Sequence, residues 1–236
     1  MLKYFLIFFL SLISIIPLSA QSVKQIEPDF QDYITLLNGS GYMVYSYDIS
    51  ELKDSTYQIK LVIKEYELGK EDPITVHDFK YGNLQNRLLV KDFMRRELSD
   101  ADLVDLKSKS EDFENGIFRS SNKISVGFLP VENDSIENFK LTVDNIGTIG
   151  SRLKLRKVFG GHNPDGEFSY GTRPFSTPSF QPNTFIPLAL YGSYWYDEQF
   201  DIVRFCGENE IDPELKAEIL KDSPHYYVIG VIFKPL

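Results

Sequence analysis

The stretch Tyr57-Gln58-Ile59-Lys60-Leu61-Val62-Ile63-Lys64-Glu65-Tyr66-Glu67 decides the fold class. Tyr57, Ile59, Leu61 and Ile63 alternate with Gln58, Lys60, Val62 and Lys64, so one face is apolar and the other mostly polar. A repeat of two is that of an extended strand, and burial on one face only is the mark of an antiparallel sheet. The same alternation returns downstream. Ile124, Val126 and Phe128 form one further strand and Phe139, Leu141 and Val143 the next, with Asn133-Asp134-Ser135 as the turn between them. Residues 41–49 are expected to pair with the opening stretch across a polar turn at Lys53-Asp54-Ser55. Residues 149–159 continue as a more basic strand, with Arg152, Lys154 and Arg156 on one face. These three read as a solvated face, and as an anion or carboxylate site if a ligand uses them. In the last third, residues 184–196 form an aromatic-rich strand, Asp197-Glu198-Gln199 a turn, and residues 200–206 the returning arm. Residues 226–233 are nearly all apolar, which predicts a strand in the middle of a sheet.

Helical spacing is confined to short pieces. Phe30, Tyr33, Ile34 and Leu37 recur on one helical face after Pro28-Asp29, and Asn38-Gly39 is a terminator. Ser99-Asp100-Ala101-Asp102 resembles a capping box, and Leu98 with Leu103 fits the staple across it, which predicts a helix over 100–107. A third helix is expected from Asp212, an N-cap residue followed by Pro213, with Leu215 and Ile219 inward and Pro224 as the stop. Residues 88–96 fit helix and strand equally. Strands follow one another without a βαβ rhythm. The expected fold is therefore mainly β (α+β): antiparallel β-sandwich-like sheets with two or three short helices.

Residues 1–20 stand apart from this pattern. Lys3 is their only charge, residues 4–16 are apolar apart from Ser11 and Ser14, and Pro17 precedes Leu18-Ser19-Ala20. A positive end, an apolar run too short to span a bilayer and a small residue at the cut predict a signal peptide cleaved near Ala20. The mature chain would be residues 21–236, secreted or periplasmic. It reads as one domain, or as two subdomains of about 40–159 and 184–236 joined by a Gly/Pro-rich loop at 160–183. No second run is long enough to span a membrane. Cleavage leaves 24 Lys and Arg against 34 Asp and Glu, a net charge of −10 compared with −9 for the whole chain. An acidic surface disfavours nucleic acid as a partner. The single Cys206 has no internal disulfide partner and, in an apolar strand pattern, is expected to be a buried, inert thiol.

Three places hold the chemistry-bearing residues. Residues 160–183 contain four Gly and four Pro, too many for a helix or a central strand, together with Phe168, Tyr170, Phe175 and Phe180. Aromatics on such a loop either pin it to the body or stack on a flat ligand such as a sugar ring. Within it, His162-Asn163-Pro164-Asp165-Gly166-Glu167 brings an imidazole and two carboxylates together, although Asn-Pro-Asp-Gly is also a turn sequence. The second place is Tyr194-Trp195-Tyr196-Asp197-Glu198, where alternation sets Tyr194 and Tyr196 on one face and Trp195 on the other. The ligand-binding candidates are thus Tyr170, Phe175, Tyr194, Trp195, Tyr196, Asp197 and Glu198. The third is Glu208, Glu210 and Asp212, whose carboxylates suit a hard cation such as Ca²⁺ and equally suit a helix N-terminus.

No nucleophile elbow, zinc-protease helix, dinucleotide fingerprint or P-loop occurs, and the three His residues lack metal-ligand spacing. No cofactor is implied and no catalytic residue is assigned. The first expectation is an exported, non-enzymatic domain that binds a glycan, a peptide or another envelope protein, or has a structural role. The alternative is a secreted hydrolase of a glycan or peptide, using Asp197 or Glu198 with His162.

Overall fold

The computed structural model describes residues 30–52, 57–87, 99–114, 117–129, 135–160, 163–176 and 180–236. The expected signal peptide, the ambiguous stretch 88–96, Leu98, His162 and the turn residues Lys53-Asp54-Ser55 and Asn133-Asp134 lie outside them.

The protein is mostly antiparallel sheet with few short helices, a mainly-β, sandwich-like fold. One sheet has four strands: β1 (Met43–Asp48), β6 (Lys123–Phe128), β7 (Ile136–Val143) and β8 (Gly147–Lys154), in the order β1-β6-β7-β8. The other has five: β2 (Tyr57–Glu67), β3 (Thr75–Asn83), β11 (Tyr170–Pro174), β12 (Phe185–Ser193) and β15 (His225–Pro235), in the order β11-β12-β15-β2-β3. Three two-stranded pairs complete it: β4 (Gln85–Arg87) with β5 (Ile117–Ser120), β9 (Val158–Gly160) with β10 (Asn163–Glu167), and β13 (Trp195–Asp197) with β14 (Ile202–Arg204). Helices are α1 (Phe30–Gly39), α2 (Asp100–Lys109) and α3 (Ile219–Asp222).

The alternating residues of the opening stretch do what alternation predicts. Ile59, Leu61 and Ile63 of β2 enter one buried cluster with Ile124, Val126 and Phe128 of β6, Phe139, Leu141 and Val143 of β7, and Ile229, Val231 and Phe233 of β15. Each strand contributes every second residue, so the two sheets meet through these faces. A buried aliphatic side chain contributes roughly 1.5–3 kcal/mol relative to exposure, and this cluster is the main source of stability. The far face of the five-stranded sheet is covered too. Tyr66, Leu190, Tyr226 and Val228 pack there with Phe175, Ile211, Ile219 and Leu220 in a second cluster. That double burial is why residues 226–233 lack alternation, and β15 does lie in the interior of its sheet, between β12 and β2.

β12 serves both clusters through an irregularity. Pairing with β15 skips Leu188, passing from Pro187↔Gly230 to Ala189↔Ile229, so Ile186 faces the sandwich before the slip, Leu188 packs there at it, and Ala189 and Tyr191 face it after. An extra residue in one strand inverts the alternation downstream of it.

Several sequence expectations are corrected. β1 does not pair with β2; it pairs with β6 in the other sheet, from Met43↔Phe128 to Asp48↔Lys123. β2 is instead flanked by β15 and β3. Residues 149–159 are split between β8 and β9, with Lys154 the last residue of the first piece. Residues 160–183 are not a plain loop, since they carry β10 and β11. Gly166 does have the positive φ of 70° that the turn reading requires. No helix starts at Asp212. Its Oδ1 accepts the Glu214 N–H at 2.7 Å and Leu215 has φ of 59°, a left-handed conformation that ends any helix there. Helix begins only at Ile219. Cys206 is exposed, because β14 ends at Arg204 and the chain turns outward before Gly207.

Strands from before and after residues 160–183 share the five-stranded sheet, and residues 36–236 form one compact unit. Among the described residues no helix is long and apolar enough to cross a membrane.

Candidate functional site

Between the sheets the inward face is apolar at one end and rich in hydroxyls and titratable groups at the other. The pairing sets Thr172, Tyr191, Tyr227 and Glu65 in one row across β11, β12, β15 and β2. Tyr170 and Ser193 pair in the neighbouring row, beside His225. Tyrosines here reach across from sheet to sheet. The Tyr191 hydroxyl donates to Glu137 Oε2 at 2.8 Å, and the Tyr227 hydroxyl donates to the Lys154 carbonyl at 2.9 Å. From the four-stranded side, Tyr45 meets the Thr172 hydroxyl at 2.7 Å.

Glu137 is the anomaly in this layer. It occupies the inward register of β7, two residues before Phe139, and is 3% exposed. Its Oε2 has Tyr191, while Oε1 has no hydrogen-bond partner. Burial pushes the Glu137 carboxyl above its ordinary value, against the Tyr191 hydroxyl and the backbone amides of Asn138 and Leu129. The same burial, with the carboxylate beside it, pushes the Tyr191 hydroxyl far up.

A second polar group lies beside it. His225 is 1% exposed, with Nδ1 at 2.7 Å from the Tyr170 hydroxyl and Nε2 at 2.9 Å from Glu65 Oε1. The Arg156 backbone N–H donates to the Tyr170 oxygen at 2.9 Å, and because the Glu65 carboxylate can only accept at Nε2, Nδ1 of the neutral ring accepts the Tyr170 O–H. The neutral ring therefore carries its proton on Nε2 and gives it to Glu65. Burial lowers the His225 pKa more than its carboxylate partner raises it. Burial works to raise Glu65, but the hydrogen bond from His225, with Thr75 and Arg156, holds it below the ordinary value. Arg156 also reaches Glu65 at 3.4 Å and Glu67 at 3.3 Å. Burial pushes the Tyr170 hydroxyl up to about 12.

A cavity of about 580 Å³ opens at this end. Its walls include Glu137, Tyr170, Thr172, Arg173, Tyr191 and Tyr194. Phe128, Tyr191 and Tyr170 are stacked in sequence, with centroids 5.2 and 5.1 Å apart. Tyr194 is stacked on Phe205 at 5.1 Å and 8° between planes, and the Arg173 guanidinium lies 4.7 Å over the Phe205 ring. Arg173 is fixed by three carbonyls, those of Thr172 at 2.8 Å, Glu208 at 3.0 Å and Phe205 at 3.2 Å. A second cavity, of about 380 Å³, is lined by Ile124, Ile186, Leu188, Val231 and Phe233 on one side and by Asp48, Ser50 and Glu51 on the other.

Comparison with known families adds one finding. The family described as a domain of unknown function, DUF5041, matches residues 17–235. The chain belongs to that family. No curated protein and no solved structure matches it.

In this DUF5041 chain the residues singled out from sequence fall in several places. Tyr170 and Tyr194 line the 580 Å³ cavity. Phe175 and Trp195 are 1% and 8% exposed and belong to the second buried cluster. Tyr196 donates to Asp201 at 2.6 Å. Asp197 is ion-paired with Arg204 and accepts the Gln199 N–H at 3.0 Å, so it holds the β13–β14 turn; Glu198 is exposed on that turn. Tyr194 precedes β13 and is not part of it, so the expected alternation through Tyr194, Trp195 and Tyr196 is broken there. Glu208 accepts the backbone amides of Glu218 at 2.8 Å and Ile219 at 3.3 Å, and is held below the ordinary carboxyl range by them. Among the described residues no group of three or more His, Cys, Asp or Glu is arranged to hold a metal, Glu208, Glu210 and Asp212 included.

Sequence reading missed Glu137, Glu65 and His225. The signal for Glu137 was present: stepping back by two from Val143, Leu141 and Phe139 lands on it, a carboxylate in an apolar register.

Proposed function

We propose that the DUF5041 chain is exported, and that its mature part is a non-enzymatic domain that binds a glycan or peptide in the cavity at the polar end of the sandwich. Export is supported by Lys3, the apolar run at 4–16 and the small residue Ala20. The binding reading is carried by one observation: a cavity of about 580 Å³ is walled by three tyrosines, Tyr170, Tyr191 and Tyr194, together with Thr172, Arg173 and Glu137. Pockets of roughly 300–1,000 Å³ with a few convergent polar groups are the usual form of a small-ligand site. A partner protein in the envelope is the related reading if the ligand is a segment of another chain.

The test is a thermal-shift screen of the mature protein against glycans and short peptides. A stabilising ligand whose effect is lost in Tyr194→Ala, with the melting point of the free variant near that of the parent, supports the reading. A ligand whose effect survives that substitution places binding elsewhere.

The hydrolase alternative has one arrangement in its favour, the hydroxyl–imidazole–carboxylate order of Tyr170, His225 and Glu65. A phenol with a pKa of about 12 that already accepts the Arg156 N–H is a poor nucleophile, which is why binding is preferred. Release of product from a glycan or peptide substrate, abolished in Tyr170→Phe, would reverse that preference.

A further inference from the structure

We infer that the ligand of the polar cavity is an extended peptide segment that adds to the free edge of β11, its main chain donating to the Tyr170 carbonyl and accepting the Thr172 N–H. This rests on the binding reading above and narrows it. β11 is an edge strand, paired with β12 on one side only. Its bonds to β12 fall on alternate residues: the Ser169 carbonyl accepts the Tyr194 N–H at 2.8 Å, and the Phe175 N–H donates to the Leu188 carbonyl at 3.0 Å. In an antiparallel pair the residues between such positions turn their N–H and C=O the other way. Gly171 and Arg173 therefore bond to β12, whereas Tyr170, Thr172 and Pro174 direct their main-chain groups out of the sheet. Pro174, which has no N–H to give the ladder, falls in that outward set.

Part of this edge is sealed by the chain itself. The Pro174 carbonyl accepts the Ile211 N–H at 2.9 Å and the Ser176 N–H donates to the Ile211 carbonyl at 2.9 Å, in a parallel bridge. The Thr172 carbonyl accepts Arg173 Nη1 at 2.8 Å. The Tyr170 carbonyl and the Thr172 N–H have no partner among the described residues, and they present the same acceptor and donor that Ile211 uses further along the strand. The cavity lies at this open part. Tyr170, Gly171, Thr172 and Arg173 line it consecutively, facing Gly41 and Met43 at the entry to β1, the edge strand of the other sheet. Gly171 has no side chain, so the main chain of β11 itself borders the cavity. An acceptor and a donor at strand spacing complement another extended chain, which presents both groups at the same repeat. The hydroxyls of a saccharide carry no such repeat.

The probe is a synthetic peptide selected on the purified chain from a phage-displayed library of random dodecapeptides, and its binding is followed by amide hydrogen exchange in NMR. Neutral oligosaccharides of glucose and N-acetylglucosamine are titrated in parallel. The Thr172 amide should exchange freely in the chain alone and about 10-fold or more slowly with the peptide, while the Arg173 amide, bonded to β12, is protected in both states. Thr172→Pro removes the outward N–H, as Pro174 does, and should weaken the peptide about 3- to 10-fold. Thr172→Val keeps that N–H and loses only the hydroxyl that meets Tyr45, so it should bind as the parent does. The exchange result is read on the parent chain and decides the question even if Thr172→Pro fails to fold. A peptide that binds without protecting the Thr172 amide, or with unchanged affinity to a folded Thr172→Pro, overturns the inference while the binding reading stands. Binding of a saccharide alone does the same, as does a Thr172 amide already protected in the chain alone, whether by its own residues or by a second copy. Absence of binding by every probe overturns both.

Discussion

Glu137 and His225 are two buried titratable groups with opposite consequences for stability. The Glu137 carboxyl is raised from 4.5, so the folded chain holds its proton more tightly than the unfolded chain does. Its contribution is fully present below pH 4.5 and is lost as pH rises through the folded value. His225 is lowered from 6.5, so its contribution is present above pH 6.5 and is lost as pH falls through the folded value. In urea unfolding across pH 4 to 8, Glu137→Gln should remove a loss of stability on the rising side. His225→Gln should remove one on the falling side. Tyr191→Phe leaves Glu137 with neither oxygen served by a side chain and should destabilise by about 1–3 kcal/mol, read from the urea midpoint. Of the residues that line the cavity, the sequence made only Tyr170 and Tyr194 visible as candidates, because aromatics in a Gly/Pro-rich stretch or beside the only Trp draw attention by composition. Glu65 and His225 acquire their meaning from pairing between strands that are 160 residues apart, which no local pattern records.

At the scale of the element, alternation told which residues face inward but not which strands are neighbours. That is why the faces of β2, β6 and β7 were legible and the partner of β1 was not. The bulge in β12 was hidden for a related reason: Ile186, Leu188, Ala189, Leu190 and Tyr191 are all buried, so the inversion leaves no polar residue to mark it. The third expected helix failed on local geometry, the Asp212 turn and the left-handed Leu215. β15 supplies the sharpest test of element packing. A Cβ on Gly230 would collide with the Ile186 carbonyl oxygen and lie 2.6 Å from the Phe185 ring, with backbone on one side that cannot swing away. Gly230→Ala should separate β12 from β15 and lower the thermal midpoint steeply, whereas Gly39→Ala, which meets nothing within 4 Å, should leave it nearly unchanged. Leu190→Ala, in the second cluster, should cost about 2–5 kcal/mol in the same denaturation measurement.

For the whole molecule, the order β11-β12-β15-β2-β3 means that the last strand completes a sheet begun by the second. A chain ending at Pro224 should lack native far-UV circular dichroism, because β2 and β12 then have no common neighbour. Pairings of such wide sequence separation also place folding in the slow range of milliseconds to seconds, measurable by stopped-flow refolding. The exposed thiol gives this molecule a convenience for the experimenter. Cys206 is the only cysteine, and it adjoins Phe205, whose ring contacts two residues that line the cavity, Tyr194 by stacking and Arg173 through its guanidinium. A maleimide dye attached there needs no engineered background, and its emission would report directly on any molecule that displaces those rings.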